Sequence, residues 1–101
     1  MAGKIYTISE IEAAVAPIAR AYGVKRIALF GSYAKGEATS QSDVDIHILD
    51  NGRLKGLFRL AGFHRELQER LAVPVDVLTS DALSDSFLER IKGEEVVLYE
   101  Q

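Results

Sequence analysis

Four short runs of aliphatic and β-branched residues, each bounded by turn-forming residues, most strongly limit how this chain can fold. Runs of this kind are typical of strands buried in a sheet. The stretches between them place apolar residues at the spacing of an amphipathic helix. The predicted strands are 26–30, 44–49, 75–79 and 96–100, and the predicted helices are 9–22, 54–71 and 81–92. This order predicts an α+β fold, a mixed sheet of about four strands with helices packed on it.

The start of the first helix is marked by Ser9 and Glu12, which have the S-x-x-E spacing of a capping box. In such a box the two side chains accept hydrogen bonds from backbone N–H groups that the helix leaves free. The sequence therefore predicts a helix whose N-cap is Ser9.

The composition limits the function classes. The 101 residues suit one domain, and 48% hydrophobic with 27% charged residues is typical of a folded globular protein. A net charge of −3 disfavours broad contact with nucleic acid, which requires clustered Lys and Arg. The chain has no cysteine, which excludes disulfides and cysteine-ligated zinc. No run resembles a signal peptide or a membrane span, so we expect a cytoplasmic protein without a membrane partner.

Asp43 and Asp45 stand at the start of the second predicted strand, in the run SDVDI. Because side chains alternate between the two faces of a strand, both aspartates are predicted to point the same way. Two carboxylates about 4 Å apart repel each other by roughly 4 kcal/mol at an effective dielectric of about 20. A divalent cation between them, or protonation of one, would relieve this repulsion. A lone Asp-x-Asp is also common at solvated strand starts, which leaves a structural alternative open.

Asp76 is a third candidate, flanked by Val75 and Val77 in the third predicted strand. A charge within a buried strand is costly unless it is paired, so Asp76 is expected to have a partner. If this strand lies beside strand 44–49, three carboxylates converge, and oxygen-only clusters of this type suit Mg²⁺ or Mn²⁺. Taken alone, Asp76 could instead be an edge-strand charge that discourages aggregation.

Gly31 and Ser32 follow the first predicted strand directly. A glycine in this place permits a close approach to the backbone and unusual dihedral angles. If a helical turn follows, its free N–H groups favour an anion, and Ser32 adds a hydroxyl donor. A Gly-Ser pair after a strand is also a common structural turn, so it does not identify a phosphate site by itself.

The run from Gly31 to Asp45, GSYAKGEATSQSDVD, resembles the minimal nucleotidyltransferase domain of the polymerase-beta-like nucleotidyltransferase superfamily. The signature of that family is Gly-Ser, ten residues and Asp-x-Asp, a spacing that this run has. The fuller pattern of the minimal members begins G-S-x-A-R-G and ends S-D-x-D. Ala34, Gly36 and Ser42 fit that pattern as well.

The resemblance extends over nearly the whole chain, with one departure. Lys35 stands where the family pattern has arginine, which keeps the positive charge and loses the bidentate fork. Asp76 matches the family's third acidic residue, and the ending ERIKGEEVVLYE resembles the tail of these proteins. The resemblance therefore implies that residues 1–101 form one minimal nucleotidyltransferase domain with the palm-like fold of polymerase beta.

The family's reaction implies a role for each candidate. Asp43 and Asp45 would hold two Mg²⁺ ions, with Mn²⁺ as an alternative, and Asp76 would join the catalytic metal and help to deprotonate the acceptor. The implied residues for binding the nucleotide phosphates are Gly31, Ser32, Lys35 and Ser42. The substrate would be ATP, whose nucleotidyl group passes to an acceptor hydroxyl while pyrophosphate leaves.

Chain size and motif together resemble the MntA-like antitoxins of type VII toxin–antitoxin pairs. Those proteins transfer AMP to a tyrosine of a HEPN-domain RNase toxin that is encoded nearby, which implies the same partner here. Two alternatives stay open: a binding module that masks its partner stoichiometrically, and a nucleotidyltransferase that acts on RNA or a small molecule. Because so small a domain offers few walls for a nucleotide, a partner or a second copy is expected to complete the site.

The two histidines have less specific explanations. His47 shares a predicted face with Asp43 and Asp45, where it could accept a proton or simply pack within the sheet. His64 lies on the apolar stripe of the second long predicted helix, where a packed histidine with a polar partner is expected.

Overall fold

The computed structural model describes residues 5–49, 57–79 and 84–101, which form a four-stranded sheet with helices packed on it. In chain order the elements are α1 (Ile8–Tyr22), β1 (Arg26–Phe30), α2 (Gly31–Ala34), β2 (Val44–Leu49), α3 (Leu57–Leu71), β3 (Val75–Thr79), α4 (Asp85–Lys92) and β4 (Val96–Glu100). The α+β prediction is confirmed, and the four strands have the predicted bounds. The predicted beginnings of the second and third helices, at 54 and 81, lie outside the described residues. In the described ranges, no helix is both long and apolar enough to cross a membrane.

The beginning of α1 differs from the prediction. The capping box is formed by Thr7 and Glu10: the Glu10 amide donates to Thr7 Oγ1 at 3.0 Å, and the Thr7 amide donates to Glu10 Oε1 at 2.8 Å. The prediction of Ser9 as N-cap was therefore wrong. The earlier start places Ile8 inside the helix, where its side chain packs against the core, and burial of apolar surface stabilises that choice.

The strands lie in the order β3-β2-β1-β4. Strand β1 runs antiparallel to β2 and to β4, whereas β2 and β3 are parallel. The end of β1 therefore meets the beginnings of β2 and β3 at one end of the sheet. Gly31, Asp45 and Asp76 all belong to that end, because each lies at or next to a strand terminus there.

One face of the sheet is apolar and the other carries polar side chains. One face forms the hydrophobic core together with α1 and α3, and its fully buried side chains include Ile46, Ile48 and, from α3, Phe63. Full burial of such a side chain contributes about 1.5–3 kcal/mol. Side chains on β2 alternate, so Asp45 and His47 lie on the opposite face. The core face stabilises the fold and leaves the other face available for polar groups.

Helix α4 packs on the face that carries Asp45. Its N-cap is Ser84, whose Oγ accepts a hydrogen bond of 3.2 Å from the Phe87 amide. The Phe87 ring meets the Phe30 ring edge-on, with 6.2 Å between the ring centroids. Because Phe30 pairs directly with Asp45 and directly paired residues share a face, α4 lies beside the end of the sheet where the motif residues meet.

Candidate active site

Asp45 and Asp76 are direct partners across the parallel strands β2 and β3. Partial burial of Asp45, hydrogen bonding to the Asp76 carboxyl, and the negative charges of Asp76 and Asp43 raise the pKa of Asp45 from 3.8 to about 6. Asp45 therefore holds a proton at mildly acidic pH, with Asp76 beside it.

Asp43 precedes Asp45 by two residues, Asp76 is the partner of Asp45 on β3, and both Asp43 and Asp76 are exposed to solvent. The Val44 amide donates to the Pro74 carbonyl at 3.0 Å, which holds the start of β2 against the start of β3. Strands β2 and β3 thus lie side by side, which is the condition set in the sequence analysis for the carboxylates to converge. The expectation that Asp76 lies in a buried strand was wrong, because β3 is the outer strand of the described sheet and this side chain faces solvent.

The carboxylates offer a donor set of oxygen atoms alone, the type that Mg²⁺ prefers. Burial, and after it the neighbouring carboxyl groups of Asp76 and Asp43, raise the pKa of Asp45, and a cation would offset those neighbouring charges. Within 5–49, 57–79 and 84–101, however, no three His, Cys, Asp or Glu side chains are already arranged as a metal site. The residues thus fit a divalent cation in their chemistry, and the convergence of Asp43 with the Asp45–Asp76 pair stays a prediction.

Helix α3 fixes the start of β3 through both backbone groups of Val75. The Val75 amide donates to Gln68 Oε1 at 3.2 Å, and the Val75 carbonyl accepts a hydrogen bond from His64 Nε2. The expectation of a polar partner for His64 is confirmed. Because Val75 directly precedes Asp76, these two bonds determine where the Asp76 carboxyl lies relative to Asp45.

Gly31 packs directly against the Asp45 carboxyl. Its φ of +73° lies in the left-handed region, and a Cβ at this position would lie 2.2 Å from Asp45 Oδ2. Glycine avoids both the backbone strain and the steric clash. Gly31 also opens the single turn α2, in which Ser32 is half-buried. The predicted close approach to the backbone is present, and the group that makes it is the Asp45 carboxylate.

Ser42 closes the loop that precedes β2. Its Oγ accepts a hydrogen bond of 2.8 Å from the Thr39 amide, and its own amide donates to the Thr39 carbonyl at 3.0 Å. These bonds order the chain immediately before Asp43. A direct contact between Ser42 and nucleotide phosphates stays a prediction.

Lys35 lies just after the α2 turn, and its amide donates to the Gly31 carbonyl at 3.2 Å. Its ammonium pairs with Glu94, with 3.6 Å between Nζ and Oε1. Both side chains are nearly half exposed, and an exposed pair of this kind contributes at most about 1 kcal/mol. The ammonium that would bind phosphate therefore already has an anionic neighbour within the protein.

Sequence reasoning missed a buried cluster of charged side chains beside the aspartates. Glu95 lies between Arg26 and His47, with 2.9 Å from Oε1 to Arg26 Nη1 and 3.1 Å from Oε2 to His47 Nδ1. The side chains of His47 and Glu95 are less than one-tenth exposed. His47 thus packs within the sheet and has a carboxylate partner. A histidine inside an apolar strand signals that some partner exists, but only the fold shows that Glu95 is that partner.

Without divalent cations, the free energy of unfolding is expected to fall as pH rises from about 4 to about 7. Asp45 has a pKa of about 6 in the folded protein and an ordinary value of 3.8, so the folded state binds the proton more tightly. The stabilisation is complete below the unfolded pKa and is lost as pH passes the folded pKa. Because Asp45 is partly exposed, the discounted loss is about 1–2 kcal/mol.

Urea unfolding in EDTA, repeated across this pH range for wild type and Asp45→Asn, measures that loss. The difference in unfolding free energy between the two proteins isolates Asp45 from other titrating groups. A difference that stays constant with pH would contradict the assignment.

Known proteins resemble this chain over most of its length. The family model of the nucleotidyltransferase domain matches residues 9–99. A protein of Methanocaldococcus jannaschii named as a candidate protein adenylyltransferase is 40% identical over 89 residues, covering 88% of this chain and 95% of the relative. The protein adenylyltransferase MntA of Thermococcus cleftensis is 30% identical over 94 residues, covering 89% of this chain and 94% of MntA.

Solved structures share the fold. A structure described as a candidate minimal nucleotidyltransferase has a TM-score of 0.76 at 27% identity, covering 93% of this chain and 98% of the other. A complex of a tri-AMPylated HEPN toxin of Shewanella oneidensis with its MNT antitoxin gives a TM-score of 0.69 at 19% identity, covering 93% and 73%. At that identity the second likeness concerns the fold alone. The resemblance seen in the sequence is confirmed, and this chain belongs to the nucleotidyltransferase domain family as a minimal nucleotidyltransferase related to protein adenylyltransferases.

Proposed function

We propose that this protein is a Mg²⁺-dependent protein adenylyltransferase that transfers AMP from ATP to a tyrosine of a HEPN-domain toxin. The observation that carries the proposal is the direct pairing of Asp45 with Asp76 across β2 and β3, with Asp45 packed against Gly31 and the charge of Asp43 acting on it. The relatives named as protein adenylyltransferases support the class of reaction. The antitoxin solved with an AMPylated HEPN toxin supports the class of partner.

Asp43, Asp45 and Asp76 would hold the divalent cations, two Mg²⁺ ions or Mn²⁺ in their place. Such cations polarise a phosphoryl group and neutralise the charge that develops on the leaving group. The proton that Asp45 holds must leave before its carboxylate can serve as a ligand. Since the pKa of Asp45 is raised to about 6, cation binding is favoured above that pH.

The nucleotide side of the site is formed by the turn after β1. Gly31 would let the triphosphate approach the backbone, Ser32 would donate its hydroxyl, and Lys35 would supply positive charge. Ser42 orders the neighbouring loop and would contribute a further hydroxyl. Their combined action is to orient the α-phosphorus of ATP towards the acceptor, which lowers the barrier by positioning.

Transfer then proceeds by displacement at the α-phosphorus. The acceptor oxygen forms a bond to this phosphorus while the bond to the bridging oxygen of the β-phosphate breaks, and pyrophosphate leaves with that oxygen. The acceptor proton passes to the Asp45–Asp76 pair. Asp76 is the member that accepts it, because its exposed side chain can be reached by an approaching hydroxyl.

The acceptor is a protein in this proposal. A net charge of −3 does not favour the phosphate backbone of RNA. Asp43 and Asp76 are exposed, so the carboxylate end of the sheet is open to a large partner. The surface of that partner would supply walls for the nucleotide that this small domain lacks.

The direct test uses the purified chain, labelled ATP, Mg²⁺ and the HEPN-domain protein encoded beside it. Label should appear on the partner, and should not appear when its acceptor tyrosine is replaced by phenylalanine or when EDTA is added. A folded partner that is bound and neutralised without label would contradict the proposal and favour stoichiometric masking.

A further inference from the structure

The ion pair between Lys35 and Glu94 joins the phosphate-binding turn to the turn between α4 and β4. Glu94 Oε1 lies 3.6 Å from Lys35 Nζ, with 45% of the lysine side chain and 40% of the glutamate side chain exposed. A ligand can therefore reach both groups from solvent. A carboxylate and a phosphate oxygen are similar partners for an ammonium, since both are anionic acceptors.

The position of Glu94 is set by the structure around it. The amides of Glu94 and Glu95 both donate to the Ile91 carbonyl at 2.9 Å, which closes the turn after α4. The next side chain, Glu95, is 7% exposed and is held at 2.9 Å by Arg26 and at 3.1 Å by His47. The backbone that carries Glu94 is thus anchored to β1 and β2, which keeps its carboxylate close to Lys35.

We infer that Glu94 is an internal competitor for the phosphate-binding ammonium and thereby sets the affinity of this protein for a nucleoside triphosphate. In the nucleotide-free protein the Glu94 carboxylate is paired with the Lys35 ammonium. The triphosphate must displace this carboxylate in order to bind the ammonium. The inference rests on the proposed function, because it requires that Lys35 binds phosphate. Glu94 acts through Lys35 and need not touch the nucleotide itself.

The test is ATP binding measured by calorimetry, in Mg²⁺, for wild type and Glu94→Gln. Glutamine keeps the shape of the side chain and removes the negative charge, so ATP is expected to bind about threefold more tightly, the size appropriate to an exposed ion pair. Glu89→Gln, at an exposed position of α4, makes the same change of charge and is expected to leave the affinity near the wild-type value.

A double-mutant cycle separates competition from a general charge effect. In a Lys35→Met background, Glu94→Gln should no longer tighten ATP binding, because no ammonium is left for which the Glu94 carboxylate could compete. An equal gain in that background, or no gain in the wild-type background, would overturn the inference. If the wild-type protein binds no ATP, both the proposed function and the inference are contradicted. If the wild type binds ATP and Glu94→Gln binds it with the same affinity, the inference alone is overturned.

Discussion

Asp45→Asn is expected to abolish nucleotidyl transfer while making the protein more stable. Asparagine preserves the size of the side chain and removes a negative charge that the proposed cation site requires. Loss of one such electrostatic contact costs about a hundredfold to a thousandfold in rate, and kcat is expected to fall at least that far. Initial rates of AMP transfer to the proposed HEPN-domain partner measure the effect.

The gain in stability has a separate cause. The pKa of Asp45 is raised to about 6 because the side chain is partly buried, and because the carboxyl groups of Asp76 and Asp43 lie nearby. At pH 7.5 without cations, removal of this repulsion should raise the unfolding free energy by about 1 kcal/mol after allowance for partial exposure. A variant that is inactive because it is less stable than wild type would contradict this account of Asp45.

Gly31→Ala is expected to lower the unfolding free energy by about 2–4 kcal/mol, a large share of the total for a small domain. The positive φ of +73° is strained for alanine. The added Cβ would also lie 2.2 Å from Asp45 Oδ2, so the turn or the β2 carboxylate must move. Urea unfolding monitored by circular dichroism measures the loss, and transfer activity should fall with it.

Gly36→Ala is the matched control. Gly36 has the same φ of +73°, but a Cβ there meets no atom within 4 Å. Its replacement therefore carries the backbone strain without the clash and should cost about 1–2 kcal/mol. Equal losses for the two variants would show that the contact between Gly31 and Asp45 does not constrain the site.

The strands were predictable because their signal is local. Short apolar runs such as 26–30 and 96–100 are bounded by residues that favour turns, and the structure places the strands within the same bounds. The helix start was less predictable, because the chain contains two overlapping capping-box patterns. The capping box is formed by Thr7 and Glu10 and not by Ser9 and Glu12. Which of the two patterns caps the helix depends on tertiary packing.

The proximity of Asp45 and Asp76 was predictable from the sequence, and the environment of the two side chains was less so. Alternation along β2 and a strand beside it were enough to bring Asp45 and Asp76 together. The exposure of Asp76 depends on β3 being the outer strand, which is a property of the strand order. The contacts of Glu94 and Glu95 join segments distant in sequence, and the pattern of residues carries no signal for them.

Whether this chain is a protein adenylyltransferase for a HEPN-domain protein is decided by the intact mass of the proposed partner after incubation with the wild-type chain, ATP and Mg²⁺. We expect a mass increase of one adenylyl group for each modified tyrosine, located by fragmentation and absent with Asp45→Asn. A partner that stays at its original mass while forming a stable complex with folded wild-type protein would contradict it.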